Sequence, residues 1–381
     1  MRRGLTAWGL ALWPTLAAAH GPAPAALGTA GPASDPARVV HTSIGLAVRR
    51  GDGAYGYRCP GAWGEEDRVA PAVSLADGTV VVAAGGAAYR SPPGGCGFAS
   101  TPLAGAGTVA AVVVSAEGDA AWVATREGAD SSIWRVPAEG PAERRFALAD
   151  AEVTDLALGP AELLAAAARP EPMVIGLGAG EPRREVVQVG PASYLGLRAQ
   201  GRFLHATLPE GPRLFERRED GDVEVLRAFT SLRGPVVEGE GLLALTDGVI
   251  QARGPGDDAF VAGDETRWTC LEEVAGQIFV CADRRLHRRV AGGLEEVFRL
   301  EDLVGVDCEA LAACESQWLH FGGEAGLVRL DAGIEDAGLA GVDAGAGAAG
   351  AEGGCAQAPG PATPWGLLLV LAVRRRRQGR R

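Results

Sequence analysis

The sequence predicts an all-β chain folded as a β-propeller, and three observations carry that prediction. A module of strand, tight turn, strand, strand, Gly-rich turn and aromatic residue, clearest over residues 72–98, recurs down the chain. Its period is about 40 residues, the length of a four-stranded blade that buries its faces only against its neighbours. Apolar residues make up 47% of the chain and many are Ala, which suits closely packed blades better than one bulky core.

Within the module, Val73 and Leu75 alternate with small or polar neighbours, Asp77-Gly78 supplies the positive-φ residues of a two-residue hairpin, and residues 79–84 form an apolar strand. Ala88-Tyr89-Arg90 reads as a third strand, and residues 91–98 (SPPGGCGF) as a turn into a fourth. The same order returns at residues 109–136, 193–218 and 270–293, with weaker copies starting at Val153, Pro235 and Cys308. The third-strand anchors are Tyr89, Trp134, Val174, Phe215, Ile250, His287 and Val328, spaced 45, 40, 41, 35, 37 and 41 residues apart.

Seven four-stranded blades are expected, with N- and C-terminal strands sharing one of them. Residues 44–48 and 54–58 read as third and fourth strands without a preceding pair, and the unit from Cys308 lacks a fourth strand. Residues 44–48 and 327–330 then compete for one position, so eight blades stay open. The expected layout is a signal peptide over 1–19, a flexible leader over 20–37, the propeller over 38–330, an Asp/Ala/Gly-rich linker over 331–354 and a sorting tail over 355–381.

The chain has no Lys and no Asn, so every basic residue is Arg, turns fall to Asp-Gly, Glu-Gly and Gly-Gly, and no N-glycosylation acceptor exists. Eight of the 36 basic residues lie in the two ends; set against 48 acidic residues, the body between them carries about −20. Such a charge disfavours nucleic acid and anionic lipid as partners.

Met1-Arg2-Arg3-Gly4 is a basic n-region, residues 5–16 a short apolar h-region, and Ala17-Ala18-Ala19 a small-residue cleavage site before His20. At the other end, Gly354-Cys355 precedes a Pro-punctuated spacer, nine apolar residues (365–373) and Arg374 to Arg377. Nine residues span a bilayer poorly, yet an Arg block behind them holds a translocating chain on the cytoplasmic side. These ordered features resemble the Myxo-CTERM sorting tail of surface proteins. The resemblance covers residues 354–381 and implies processing by a myxosortase-type protease, with tethering at the cell surface through lipid on Cys355. The membrane is then a partner only through that C-terminal tether.

Export places seven Cys in an oxidising compartment. With Cys355 set aside, Cys270 and Cys281 flank one hairpin turn and suit a cross-strand bridge. Cys59 follows an aromatic strand and Cys96 lies in the first Gly-rich turn, so these two are expected to pair. That leaves Cys308 with Cys314, about 20 Å apart on a straight strand, so their bridge requires a bend through residues 309–313.

Residues 91–98 resemble a degenerate Asp-box, the turn between third and fourth strands of sialidase-like, or BNR-repeat, propellers, with Pro93 where the Asp belongs. Related turns are Arg50-Gly51-Asp52-Gly53-Ala54-Tyr55 and Glu219-Asp220-Gly221-Asp222. The box is structural, its polar side chain satisfying backbone amides, so the likeness implies architecture and not activity.

No catalytic, cofactor or metal site is expected. Nucleophile elbow, phosphate loop and HExxH pair are missing from the sequence. Trp134-Arg135-Val136-Pro137 imitates a sialidase Arg motif, but the repeat puts Arg135 in an outer third strand. Tyr55, Tyr57 and Tyr89 sit at strand aromatic positions, whereas Tyr194 opens an inner strand. His41 precedes the first strand, His205 and His320 share the second-strand position of Trp122 and read as packing, and His287 reads as solvated. Acidic clusters at 65–67, 219–224, 257–258 and 264–265 lack EF-hand order and read as loop acids.

The chain therefore reads as an exported, surface-tethered propeller acting as a non-enzymatic recognition or scaffold module for an unknown surface ligand, glycan or protein. The alternative is an exported glycoside-cleaving or related enzyme with an atypical site at the channel. Convergence of Tyr194, an Arg and a carboxylate at the channel mouth would favour that alternative.

Overall fold

In the computed structural model, the described residues are 25–64, 70–103, 107–228, 230–238, 241–255, 257, 260–263, 267–306, 313–324 and 326–327, all within the unit Met1–Leu330. The sorting-tail residues, the linker, the leader up to residue 24, Cys308 and Val328 lie outside them.

The described strands form seven sheets, six of four strands and one of five. Blades 1 to 7 have as inner strands Ala26–Ala30, Ala72–Ser74, Thr108–Val114, Glu152–Leu158, Tyr194–Arg198, Leu232–Glu238 and Cys270–Val274. Hairpins connect the strands within each blade, and their turns use the residues the composition leaves available. At Asp77-Gly78 the Asp77 carboxylate accepts the Thr79 N–H at 2.8 Å, and Gly78 has φ 91°. At Asp247-Gly248 both residues are left-handed, at 51° and 86°, as a type I′ turn requires.

Seven apolar clusters hold the ring, one at each interface between neighbouring blades. Between blades 3 and 4, Ile133, Leu148 and Ile175 are buried around Ala124, Ala165 and Ala167. Alanine on the middle strands lets two twisted sheets approach closely, while one large residue per layer fills the wedge between them. Truncating Ile133 to Ala there costs about 2–5 kcal/mol.

Six of the seven third-strand anchors, Tyr89, Trp134, Val174, Phe215, Ile250 and His287, lie on the third strands of blades 2 to 7. The Gly-rich turns at 50–55, 91–98 and 219–222 each join a third strand to a fourth. At the first of them the Asp52 carboxylate accepts the Ala54 N–H at 3.0 Å. At the second, where Asp is replaced by Pro93, the Arg58 side chain donates to the carbonyls of Gly94 and Gly95 at 2.7 Å.

Blade 1 does contain strands from both ends, but in a different way from the expected sharing. Gly45–Arg49 and Tyr55–Arg58 are its third and fourth strands, preceded by Ala26–Ala30 and Val39–Thr42. Ala26–Ala30 falls in the stretch 20–37 expected to be a flexible leader. Its small side chains hide it, yet smallness is what the position needs: a Cβ on Gly28 would meet Glu272 Oε1 at 2.5 Å. The C-terminal contribution is Leu303–Val304, parallel to Tyr55-Gly56 at the outer edge.

The unit from Cys308 is not a blade. Ala313–Glu324 is an α-helix, so His320 does not occupy a second-strand position. Ala, Glu, Gln and Leu favour that helix, and it is docked on blade 1 by Trp318 against Tyr57 at 5.1 Å and by Gln317 accepting the Gly61 N–H. With the third position of blade 1 filled by Gly45–Arg49, the ring closes at seven.

Cys270 and Cys281 are bonded across their hairpin as expected. The other two expected pairs are not formed. Cys59 bonds Cys314, from the first residue of the helix's buried side to the end of blade 1. Cys96 is also disulfide-bonded, to a partner outside the described residues. Pairing by sequence position failed here because the helix brings Cys314 back across 255 residues.

Candidate functional site in the channel

The inner strands of blades 2 and 3 contain no charged residue, whereas those of blades 4 to 7 each contain at least one. Asp155, Tyr194, Arg233 and Glu272 lie on the inner strands of four successive blades, and their numbers recur at intervals of 39 residues although their registers against the second strands differ. Arg198, four residues after Tyr194, and His205 on the second strand of blade 5 complete the group.

Asp155 follows an irregularity in the pairing of blade 4, which re-aims the strand between Val153 and Asp155. One carboxylate oxygen accepts the Leu156 N–H at 2.9 Å. The other takes the Leu197 N–H at 3.0 Å and the Arg198 guanidinium at 2.6 Å, linking blades 4 and 5. Burial alone would lower the Arg198 pKa, but Asp155 and Tyr194 raise it above the ordinary value, so it stays charged.

The Tyr194 hydroxyl lies beside the Arg198 guanidinium. Burial pushes the Tyr194 phenol above its usual range, Asp155 adds to that, and Arg198 and Arg233 oppose it. Gly196, between Tyr194 and Arg198 on the strand, lets these groups fold over the backbone. A Cβ there would meet the Tyr194 hydroxyl at 2.9 Å and Asp155 Oδ2 at 3.1 Å.

His205 is paired with Gly196 across the strands and meets the Tyr194 ring edge-on at 5.6 Å. It is only 9% exposed, and neither ring nitrogen has a hydrogen-bond partner. Burial, reinforced by Arg198 and Arg233, lowers its pKa to about 3, so the ring is neutral. His205 does share the third position of its strand with Trp122 and packs on the Tyr194 ring, but it brings two buried ring nitrogens without a hydrogen-bond partner, which Trp122 does not.

Glu272 accepts the Thr29 N–H of blade 1 at 2.9 Å. Burial pushes its carboxyl above the usual range, against the Thr29 hydrogen bond and the fields of Arg233 and Arg198. Arg233, second residue of the inner strand of blade 6, is exposed, and its side chain makes no hydrogen bond or ion pair with another described residue.

The remaining expected residues divide plainly. Tyr194 does open an inner strand and does meet an Arg and a carboxylate. Tyr55 and Tyr57 donate to the carbonyls of Ala37 and Ile44 and are structural. Arg135 lies in an outer strand and pairs with Asp119. His41 is within the second strand of blade 1, not before it, and its Nε2–H donates to the Ala72 carbonyl at 3.0 Å. His287 is half-buried against Trp268 at 6.3 Å instead of solvated. Asp222 accepts the Gln188 N–H and Glu224 pairs with Arg213. Residues 65–67, 258 and 264–265 lie outside the described residues. Among the described residues no cluster of His, Cys, Asp and Glu is arranged to hold a metal ion.

Sequence reasoning missed Asp155, Arg198, Arg233 and Glu272. The available signal was the 39-residue recurrence of polar residues inside otherwise apolar inner strands. A separate groove of about 790 Å³ runs between blades 6 and 7, walled by Leu243, Ile250, Trp268 and Val280 and bordered by the Arg289–Glu238 pair. None of its lining residues belongs to the channel group.

No protein-family model matches the chain, and no curated protein matches it. Many solved structures do. The structure of streptogramin B lyase aligns with a TM-score of 0.50 and 12% identity over 72% of this chain and 93% of that one. The β-propeller domain of Cps50 (Swd1) from Myceliophteria thermophila aligns at 0.41 and 15%, over 60% and 85%. BamB from Moraxella catarrhalis aligns at 0.43 and 13%, over 70% and 80%. Likeness at this identity concerns the seven-bladed propeller fold alone.

Proposed function

We propose that the protein is an exported recognition module, tethered at the cell surface, that takes its ligand at the polar arc of the channel. The observation that carries this reading is the gathering of Asp155, Tyr194, Arg198 and Glu272 from the inner strands of blades 4, 5 and 7, beside a buried His205 whose two ring nitrogens have no hydrogen-bond partner. Polar groups left unsatisfied in a native interior cost free energy and mark a place where something else binds.

Delivery rests on the residues of the two ends, and the disulfides at Cys59–Cys314 and Cys270–Cys281 fit an oxidising compartment. Lipid attachment at Cys355 after cleavage by a myxosortase-type protease is part of the same proposal. A Cys355→Ala variant should be released into the medium or accumulate unprocessed; unchanged surface retention refutes the tether. The sialidase-like grouping is also kept as a proposal, supported by the three Gly-rich turns between third and fourth strands.

Glycoside cleavage is the second reading, because Tyr194, Arg198 and Asp155 do converge. Two features weigh against it. The Tyr194 hydroxyl is held protonated by burial, and the Asp155 oxygens are committed to two amides and Arg198. An activated nucleophile needs the opposite: a lowered pKa or a free adjacent base. Incubating the full-length protein with a panel of fluorogenic glycosides, sialosides included, separates the readings. Turnover lost in Tyr194→Phe favours the enzyme; glycan-array binding without turnover favours recognition.

A further inference from the structure

The groove between blades 6 and 7 exists because one strand is short. Fourth strands elsewhere in the ring have four to seven residues, and that of blade 3 fills the wedge toward blade 4 with Phe146 and Leu148. In blade 6 the fourth strand is only Val261–Ala262, so the wedge toward blade 7 stays open as the groove of about 790 Å³. Ile250 and Ala252 wall it on one side, Ile278 and Val280 on the other, and Val237, Val290 and Leu294 stand exposed at its mouth. Large apolar side chains left in water around one cavity mark a binding site.

The shape of the groove selects its occupant. Strand Gln277–Ala282 runs its length and Trp268 lies beyond the far end, so six residues at about 3.3 Å each make it about 20 Å long. The mean cross-section is then about 40 Å², half or less of the section of an α-helix about 10 Å across. An extended peptide fails for another reason. The walls are sheet faces and not sheet edges: the second and third strands of both blades are paired on both sides, and the Ile250 carbonyl already takes the Gly263 N–H at 2.8 Å. A peptide laid there would bury its own amides without partners, whereas an alkyl chain has none to bury.

Charge sets the head group. At the mouth Arg289 pairs with Glu238 and Arg288 with Glu295, and Arg288 also donates to Gln277 at 3.1 Å. These charges cancel, so a charged head would bring one that nothing opposes. A neutral hydroxyl can instead accept from Arg289 and donate to Glu238. A Cβ at Gly276, Gly292 or Gly293 would meet nothing within 4 Å, which leaves space for the head on that side.

We propose that the groove between blades 6 and 7 is a binding site for a single unbranched alkyl chain with a neutral, hydroxyl-bearing head. The site goes beyond the recognition reading of the channel and does not depend on it.

Isothermal titration of the full-length protein with 1-hexanol, 1-octanol and 1-decanol tests the proposal. Each added methylene should tighten binding about fourfold as it enters the groove, and 1-decanol should reach a Kd of about 100 μM or tighter. Decanoate and decyltrimethylammonium, with the same chain under a charged head, should bind at least about tenfold more weakly. The peptide acetyl-Ala-Val-Ala-Val-Ala-amide should give no heat of binding. Ala252 is exposed and lines the groove, so Ala252→Phe should fill it and weaken 1-decanol at least about tenfold. Val290→Asp, at the exposed mouth, should weaken it as much by adding an unopposed charge. An unchanged urea midpoint is expected in both, and if Ala252→Phe unfolds the protein, Val290→Asp decides.

1-Decanol binding no tighter than 1-hexanol, or unaltered in the folded variants, overturns the site. Decanoate, decyltrimethylammonium or the peptide binding as tightly as 1-decanol overturns the ligand class. The arc is tested separately by the glycan array, so neither result bears on it.

Discussion

Replacing His205 by Leu should flatten the acid side of the stability profile, and the size of the effect follows from the ring's surroundings. The imidazole titrates near 6.5 in the unfolded chain and at about 3 in the fold, where burial, Arg198 and Arg233 disfavour the cation. The unfolded state therefore binds the proton first. Stability from this group is fully present above pH 6.5 and drains away as the pH falls toward 3. Between about pH 7.5 and pH 5 the loss from this one residue is about 2 kcal/mol. Urea unfolding at the two pH values reads it: the His205→Leu protein should lose about 2 kcal/mol less than the parent over that interval. His41 and His287, whose pKa values burial also lowers, remain in both proteins and cancel. At neutral pH, two unpartnered buried nitrogens are removed, a relief of about 1–3 kcal/mol, against loss of the edge contact with Tyr194, about 0.5–1.5 kcal/mol. The variant should thus equal or exceed the parent near neutrality. Identical pH slopes, or a neutral-pH loss above about 1 kcal/mol, would mean that His205 acts through packing alone.

Gly196→Ala should cost about 1–3 kcal/mol and disturb ligand binding, because the new Cβ would lie 2.9 Å from the Tyr194 hydroxyl; a fully stable, fully binding Ala variant, judged by urea titration and calorimetry, removes the close approach from the argument. Glu272→Gln keeps an acceptor for the Thr29 N–H while removing a carboxyl whose pKa is raised, mainly by burial. Relative to the parent it should therefore gain stability as the pH rises above the ordinary carboxylate range, and a pH-independent difference refutes the shift. Removing the Cys270–Cys281 bridge as a double Ala variant should cost about 3 kcal/mol for a loop of this length, read from the urea midpoint under oxidising conditions.

The fold was legible because its signal is local and repeated. Tyr89, Trp134, Val174, Phe215, Ile250 and His287 each lie on a third strand, since turn chemistry and two-residue alternation fix a hairpin from within. What stayed hidden depends on distant partners. Ala26–Ala30 has the composition of a leader and becomes a strand because Glu272 and Val39–Thr42 engage it. Ala313–Glu324 carries enough glycine and aromatic residues to imitate a blade, and the Cys59–Cys314 bond with the Tyr57 ring makes it a docked helix. The site was obscured for a related reason: Asp155, Arg233 and Glu272 each look like one solvated charge until the blades are aligned. Tyr194 alone stood out, because an aromatic residue at the start of an inner strand departs from the aliphatic pattern of its neighbours.

The arc and the closing seam of the ring share a residue. The four antiparallel strands of blade 1 lie within residues 26–58, so besides Leu303–Val304 at the outer edge the ring closes through the contact of this blade with blade 7. That contact includes the Glu272 carboxylate on the Thr29 N–H, the Ala26 N–H on the Asp283 carbonyl at 3.0 Å, and Tyr55 edge-on to Phe298 at 4.9 Å. Glu272 is the only one of these groups that also senses Arg233 and Arg198 among the described residues. On the proposed recognition reading, a ligand seated in the arc changes the field at Glu272 and so acts on the interface that completes the ring. Because such a ligand binds the closed ring and not the opened chain, occupancy and closure reinforce each other, by about 2.7 kcal/mol at a hundredfold excess over Kd. The inner strand of blade 1 must therefore retain Gly28: a larger residue would displace the carboxylate that joins seam to site.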